Sequence, residues 1–219
     1  MPYLKRQAPS PEPIDCRILT AALDLFVNNG YHSVSVHEIQ KQADVSIGSI
    51  YNHFGGKEGI ATALYKHIIN EMDEMVDDVI NENQSPIQQC KEIIKLLCGY
   101  TETHDNIMAF VFHTKHAEFV PKEPLIQDTL PFVKMRGIVE KGMESGEFRS
   151  TDSWVAASTI FGGVIRMVQL RLDNMLDNPL PEYYEMLVNA AFIGLLTENS
   201  SETYPQQIQT ENHQKGGGV

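Results

Sequence analysis

The sequence predicts an all-α chain of about nine helices: an N-terminal three-helix unit built around a helix-turn-helix, then a larger helical bundle. Three observations carry this. The run from Ser35 to Ile60, SVHEIQKQADVSIGSIYNHFGGKEGI, holds two short helix signals, each with its own cap: Ser35 with Glu38 fits a capping box, and Ser46 caps the segment opening Ile47-Gly48-Ser49. Downstream, apolar residues recur at three- and four-residue spacing to residue 197, with no convincing strand pair. Glycine and proline punctuate the ends of these segments: Gly30 suits a left-handed cap, Gly146 a stop and Pro181 a first helical position.

The elements follow in order. Residues 1–13 are rich in proline and polar residues and read as a flexible arm. A first helix from Ile14 buries Ile18, Ala22, Leu25 and Phe26 and ends at Asn28-Asn29-Gly30. The two short helices follow, with Asp44-Val45 at the corner. A long helix over 57–82 presents Ile60, Leu64, Ile68, Met72, Met75 and Val79 inward. Its acidic residues Glu71, Asp73, Glu74, Asp77 and Asp78 read as a solvated face. Segments 86–103, 105–120, 123–145, 152–175 and 181–197 complete the bundle. Segment 105–120 is apolar on two faces, through Ile107, Phe110, Val111 and Thr114 and through Met108, Phe112, His116 and Phe119, so it should be buried on both. Pro131 should kink or restart segment 123–145. The organisation expected is an arm at 1–13, the helix-turn-helix unit at 14–60, a second unit at 61–197 and a disordered tail at 198–219.

The 219 residues carry a net charge of −12, unusual for a chain that meets nucleic acid. The charge is uneven. Residues 1–60 hold five basic residues (Lys5, Arg6, Arg17, Lys41, Lys57) against six acidic ones (Glu12, Asp15, Asp24, Glu38, Asp44, Glu58), so most of the acid load lies beyond them. There is no broad basic patch. Phosphate contacts would rest on a few lysines, hydroxyls and helix N-termini, and affinity should fall steeply with salt. No apolar stretch has membrane-spanning length and the N-terminus lacks a signal-peptide centre, so a cytoplasmic location is expected. Cys16, Cys90 and Cys98 lack metal-ligand spacing; Cys90 and Cys98, on one helix, would lie about 12 Å apart along its axis.

Two capped short helices joined by a tight turn form the helix-turn-helix of DNA-binding proteins, whose second helix is the reader. Gly48 permits close backbone approach there, Ser49 and Asn52 offer hydrogen bonds to base edges, and Ile47 offers contact to a thymine methyl. Lys57 opens the long helix, where charge and helix dipole both favour a phosphate; Lys57→Ala should lower the salt slope by about one.

The string V-S-x-G-x-I-Y-x-H-F-x-x-K-E, with Ala22, Leu25-Phe26, Gly30-Tyr31, Ile39 and Ala43 before it, resembles the tetracycline-repressor (TetR) family of bacterial transcription regulators over about residues 14–66. Beyond that the resemblance is architectural. The chain departs from the family pattern at Gln40, where alanine is usual, and at Asp44, where glycine is usual; Asp tolerates the left-handed conformation the turn needs. The resemblance implies a DNA-binding set of Ser35, Ser46, Ile47, Gly48, Ser49, Tyr51, Asn52, His53 and Lys57, with Tyr51 and His53 as the phosphate-contacting pair. It implies a homodimer on a palindromic operator in double-stranded DNA, and release by a small effector that shifts segment 105–120 against the long helix; the aromatic and methionine-rich candidate lining suggests that this effector is largely apolar. No cofactor, metal or membrane partner is implied.

Candidate effector contacts are Tyr100, Met108, Phe112, His113, His116, Phe132, Met135, Arg136, Phe161, Arg166 and Met167. Arg166 interrupts the apolar run from Ile160 to Ile165, and a buried arginine needs an anionic partner. Candidate dimer contacts are Trp154, Ala157, Gly162, Leu187, Ala190, Ala191 and Gly194, where small residues allow close helix approach. An activator or an effector-independent regulator would use the same fold. A thiol sensor through Cys90 and Cys98, and an enzyme at His113 and His116, are readings of other classes; the chain shows no nucleophile–base pair.

Overall fold

A computed structural model describes residues 3–4, 10 and 12–197; the tail expected at 198–219 lies outside the described residues. The described residues form nine α-helices: α1 (Ile14–Asn29), α2 (Val36–Ala43), α3 (Ile47–Phe54), α4 (Lys57–Glu82), α5 (Pro86–Thr103), α6 (Asp105–His113), α7 (Leu130–Glu144), α8 (Ser153–Leu172) and α9 (Tyr184–Phe192). Short 3-10 turns lie at Tyr31–Ser33, His116–Glu118, Ile126–Asp128 and Leu180–Tyr183.

Two hydrophobic cores organise these helices. The first joins Ile18, Ala22 and Phe26 of α1 to Ile39, Ile50, and Ile60 to Met72 of α4. It also takes Ile107, Phe110 and Val111 from α6. The second gathers Met75 and Val79 of α4 with Ile93, Ile94 and Leu97 of α5, Val139 of α7, Ile160 and Val164 of α8 and Phe192 of α9. The single helix α4 therefore runs through both. Its apolar residues come at spacings of three and four, which keeps one stripe turned inward along its length.

Several boundaries differ from expectation for identifiable reasons. Segment 105–120 is not one helix: α6 stops at His113, and Thr114 is extended. The break lets Phe119 stack on Tyr31 at 4.7 Å, while Met108 turns into the second core. Pro131 restarts the chain at the first turn of α7, where a missing N–H costs nothing. The last segment is shorter than 181–197, because it opens as a 3-10 turn and ends in an isolated bridge between Phe148 and Leu196. Glu71 is not solvated: only 3% exposed, it accepts the Leu4 N–H at 3.1 Å. Tyr3 meets His67 edge-on at 5.4 Å, so the arm carries an anchored pair rather than being flexible throughout. Cys16, Cys90 and Cys98 are all buried, and burial pushes the Cys98 thiol up to about 11 and Cys90 further, which disfavours thiolate.

Candidate nucleic-acid interface and effector cavity

The local chemistry of α2 and α3 sets the first site. Ser35 Oγ accepts the Glu38 N–H at 3.3 Å, and the Glu38 carboxylate accepts from Ser35 N–H and Oγ at 2.7 Å each. These hydrogen bonds from Ser35 hold the Glu38 carboxyl below its usual range. Asp44 ends α2 in the left-handed conformation at φ 51°, as its side chain allows. Gln40 Nε2 donates to Val45 O at 2.9 Å, so the residue that departs from the family pattern closes the turn. Arg17 reaches across from α1 and donates to Ala43 O at 2.6 Å and Asp44 O at 2.5 Å, covering the last carbonyls of α2. Ser46 Oγ accepts the Ser49 N–H at 3.0 Å and starts α3.

With α3 set this way, Ile50 is fully buried while Gly48, Asn52 and His53 face outward. Tyr51 is 56% exposed, so it is not part of the core. Ile47 and Ser49 are half-buried beside them. Gly55 and Gly56, at φ 74° and 133°, carry the chain from α3 into α4 through conformations that side-chain-bearing residues rarely adopt. Gly59 passes against the Phe54 carbonyl, where a Cβ has no room.

Lys57 differs from expectation. Its Nζ donates to Tyr31 O at 2.8 Å and Val34 O at 2.6 Å, and lies 4.3 Å over the Tyr31 ring. It ties α4 to the connection between α1 and α2 and is not a free surface cation. Arg17 is likewise engaged. Both were legible only as charges in the sequence, since their partners lie 23 to 27 residues away. Lys41 remains as an exposed cation among the described residues of this unit.

The second site is a cavity of about 160 Å³ between α7 and α8. Phe132, Met135, Arg136 and Phe161, all expected effector contacts, line it. So do Trp154, Ala157 and Gly162, expected at the dimer face, and Gln127, Ser158 and Ile165, which the sequence reading missed. The Arg136 guanidinium lies 4.1 Å over the Trp154 ring. The other expected contacts fall elsewhere. Phe112 meets Phe132 edge-on at 6.4 Å, behind the cavity wall. Tyr100 packs edge-on against His104, and Met108 and Met167 pack into the second core. Arg166 is exposed on α8 and donates to Gln169 at 3.3 Å, so the buried arginine expected from its apolar flanks does not occur. His113 lies at the end of α6 near Asp173. His116 sits in the first core among Tyr65, Phe110 and Phe119, with burial holding its pKa down to about 4. Its Nε2 is buried with no hydrogen-bond partner among the described residues.

At the expected dimer face, Gly162, Ala190 and Gly194 are exposed and Leu187 half-buried. Ala191 is a correction: 6% exposed, it packs into its own chain's core, because α9 turns it toward α8.

Comparison with known proteins places these features. Residues 18–64 match the family model for bacterial regulatory proteins of the tetR family. The fatty acid metabolism regulator protein of Bacillus subtilis is 27% identical over 154 residues, which cover 68% of this chain and 78% of that protein. The HTH-type transcriptional regulator YdeS of the same organism is 26% identical over 210 residues, covering 91% and 98%. Among solved structures, FadR from Bacillus subtilis in complex with stearoyl-CoA matches with a TM-score of 0.70 at 23% identity, over 81% of this chain and 97% of that one. The ketosteroid regulator KstR2 of Mycobacterium tuberculosis matches at 0.69 and 18% identity, over 88% and 100%. At such identities the structural likeness speaks for the fold.

Proposed function

The chain belongs to the tetR family of bacterial regulatory proteins and is a transcriptional regulator rather than an enzyme, and from that premise we propose that it is a homodimeric repressor released by a fatty acyl effector. The observation that carries the DNA-reading half is the outward face of α3. Gly48, Tyr51, Asn52 and His53 project from a helix whose other side is fixed by Ile50, two caps and the Arg17 bonds. Base contacts fall to Gly48, Ser49 and Asn52, with Ile47 against a thymine methyl. Phosphate contacts fall to Tyr51, His53 and the open N-terminus of α4. Ser35 and Ser46 act as caps and Lys57 as a clamp, each positioning this face.

Dimerisation is supported by α8 and α9. By length and composition α8 is apolar enough to cross a membrane, yet only 28% of its most apolar window is buried. Val155 is 56% exposed, Met186 60% and Ile193 83%, beside the small residues Gly162, Gly163, Ala190 and Gly194. Exposed apolar side chains beside small residues on both helices support a protein contact surface there. A second copy packed across it would set two α3 helices about one DNA turn apart on a palindrome.

The effector assignment rests on the lining of the α7–α8 cavity: Phe132, Met135, Phe161 and Ile165 for an apolar chain, with Arg136 for an anionic head. The fatty-acid regulator of similar sequence, and the stearoyl-CoA complex of similar fold, support that class. At about 160 Å³ the cavity admits such a chain only if α7 and α8 part. Lys134 of α7 binds Asp73 and Asp77 of α4 at 2.7 and 2.6 Å, so displacement of α7 is passed to the helix that carries the reader. The effector need favour the parted state by only a few kcal/mol to empty the operator.

The test is selection of bound duplexes from a random library, followed by titration of the recovered complex with palmitoyl-CoA. A palindrome with half-sites about one turn apart, and its release by palmitoyl-CoA, are expected. An unenriched pool would refute the reader, and a complex indifferent to acyl thioesters would refute the effector.

A further inference from the structure

Two residues of the N-terminal arm hold a position that the DNA-reading and effector roles do not use. Leu4 precedes α1, yet it is buried in the first core. Its N–H is donated to the Glu71 carboxylate of α4 at 3.1 Å, in a buried hydrogen bond. The Tyr3 ring meets His67, also of α4, edge-on at 5.4 Å. The Tyr3 carbonyl accepts a hydrogen bond from the ring of His104, which separates α5 from α6. That ring is itself placed by Thr103, whose Oγ1 lies 2.7 Å from His104 Nδ1, and by Tyr100, which meets it edge-on. Tyr3 and Leu4 therefore bridge the middle of α4 and the α5–α6 junction.

The seat is strong for its size. A hydrogen bond to a carboxylate exceeds one between neutral groups, and Leu4 adds an apolar side chain to it. With only two residues engaged, the arm can still open without the rest of the fold. Its place on α4 matters. His67 and Glu71, four positions apart, share one face of the helix. Asp73 and Asp77, which hold Lys134 of α7, share another. Residues two apart on a helix do not face the same way, so Glu71 and Asp73 point to different sides. The arm and α7 thus grip α4 from different sides at adjacent turns. The arm is seated while the α7–α8 cavity is only about 160 Å³, the closed arrangement to which operator binding is assigned above.

We infer that Tyr3 and Leu4 form a latch on α4: seated among His67, Glu71 and His104, they hold the helix to the α5–α6 junction in the operator-binding arrangement, and they leave that seat when α4 follows α7. The inference rests on the DNA-reading part of the proposed function and not on which effector opens the cavity. By linkage, a seated latch favours the operator, and bound operator favours the seated latch.

The test is amide exchange at Leu4, followed by NMR on the full-length protein labelled with 15N-leucine. The amide of Leu64, buried in α4, reports opening of the whole fold. In free protein Leu4 should exchange faster than Leu64, and a selected operator duplex at saturation should slow Leu4 about tenfold. Leu4→Ser should weaken operator binding about tenfold at a temperature where the protein is fully folded, and Leu4→Met, which refills the seat, should bind like wild type. A Leu4 amide that exchanges as slowly as Leu64 in free protein would make the arm an ordinary part of the core and overturn the latch. An operator that leaves Leu4 exchange unchanged overturns it as well, as does a Leu4→Ser protein of wild-type affinity. Tighter binding by Leu4→Ser would mean that the seated arm withholds Lys5 and Arg6 from DNA, the reverse of a latch. A random library that yields no enriched duplex refutes the reader and the latch together, whereas an enriched palindrome with an indifferent Leu4 refutes the latch alone.

Discussion

Gly59 shows how little room separates α3 from α4. A methyl group at this position would meet the Phe54 carbonyl oxygen, a backbone atom that cannot swing aside. Gly59→Ala should therefore force α3 and α4 apart, costing about 2–4 kcal/mol, with thermal unfolding and operator binding both impaired. Lys57 gives a different signature. With its Nζ on two carbonyls and over the Tyr31 ring, Lys57→Met should lower stability by about 1–2 kcal/mol. The slope of log affinity against log salt should stay unchanged, because no phosphate contact is lost. A slope reduced by one in a filter-binding series would restore Lys57 to the phosphate set. By the same reasoning the wild-type slope should be shallow rather than steep, since Arg17 and Lys57 are both engaged within the protein.

His116 is the residue whose chemistry reaches stability through pH. Burial holds its pKa at about 4 against 6.5 when unfolded, so the unfolded chain binds the extra proton between those values. Stability from this group is complete above pH 6.5 and declines as pH falls toward 4, by about 3 kcal/mol in all. His116→Phe should flatten that part of the profile in urea titrations at pH 5 and 7. What the sequence disclosed at this scale was local. Ser35 with Glu38, Ser46 and Asp44 act on neighbours within a few positions, so their roles were readable. Arg17, Lys57 and His116 meet groups brought close only by folding, so residue type alone did not disclose these contacts.

At the scale of elements, α4 runs through both cores, and beside its apolar packing on α7 it is tied to that helix by an ionic contact. Lys134, with its side chain 28% exposed, sits between Asp73 and Asp77. A methionine there keeps the hydrocarbon stem packed while removing the charge. Lys134→Met should lower stability, since Asp73 and Asp77 lose their shared cation, keep operator affinity near wild type, and raise the palmitoyl-CoA concentration needed for release about fivefold or more. An unchanged release curve in fluorescence anisotropy would show that the signal takes another route, such as α6, which touches α1 through the Asn106–Asp24 hydrogen bond of 2.5 Å. The period of the apolar residues disclosed α4 to its last residue because one stripe serves both cores. It misread segment 105–120, since an apolar residue after a helix break looks the same as one within the helix. Phe119 needed Tyr31 to stack on, and that contact is invisible to periodicity.

At the scale of the molecule, the exposed face of α8 and α9 is the feature that a single chain leaves unexplained. The small and apolar residues suggested a dimer contact in the sequence, and Trp154 and Gly162 among them line the α7–α8 cavity. The geometry follows from helix spacing: Val155, Thr159, Gly162, Gly163 and Arg166 project outward, and Trp154, Ala157 and Phe161 flank the cavity beside them. A partner copy on the outward face would thus lie against the cavity's rim. Ile193, at 83% exposure, belongs to that face and supports nothing within its own chain, so Ile193→Arg disturbs the dimer without a cavity penalty. The arginine pair formed across a two-fold axis would add like-charge repulsion. Sedimentation should show a monomer at micromolar concentration with an unaltered helical spectrum. Operator affinity should fall about a hundredfold or more, since each reader then binds its half-site alone and the gain from linkage is lost. An Ile193→Arg protein that stays dimeric and binds its palindrome normally would move the interface elsewhere on the bundle, and would leave the sparse covering of α8 to be explained by another partner.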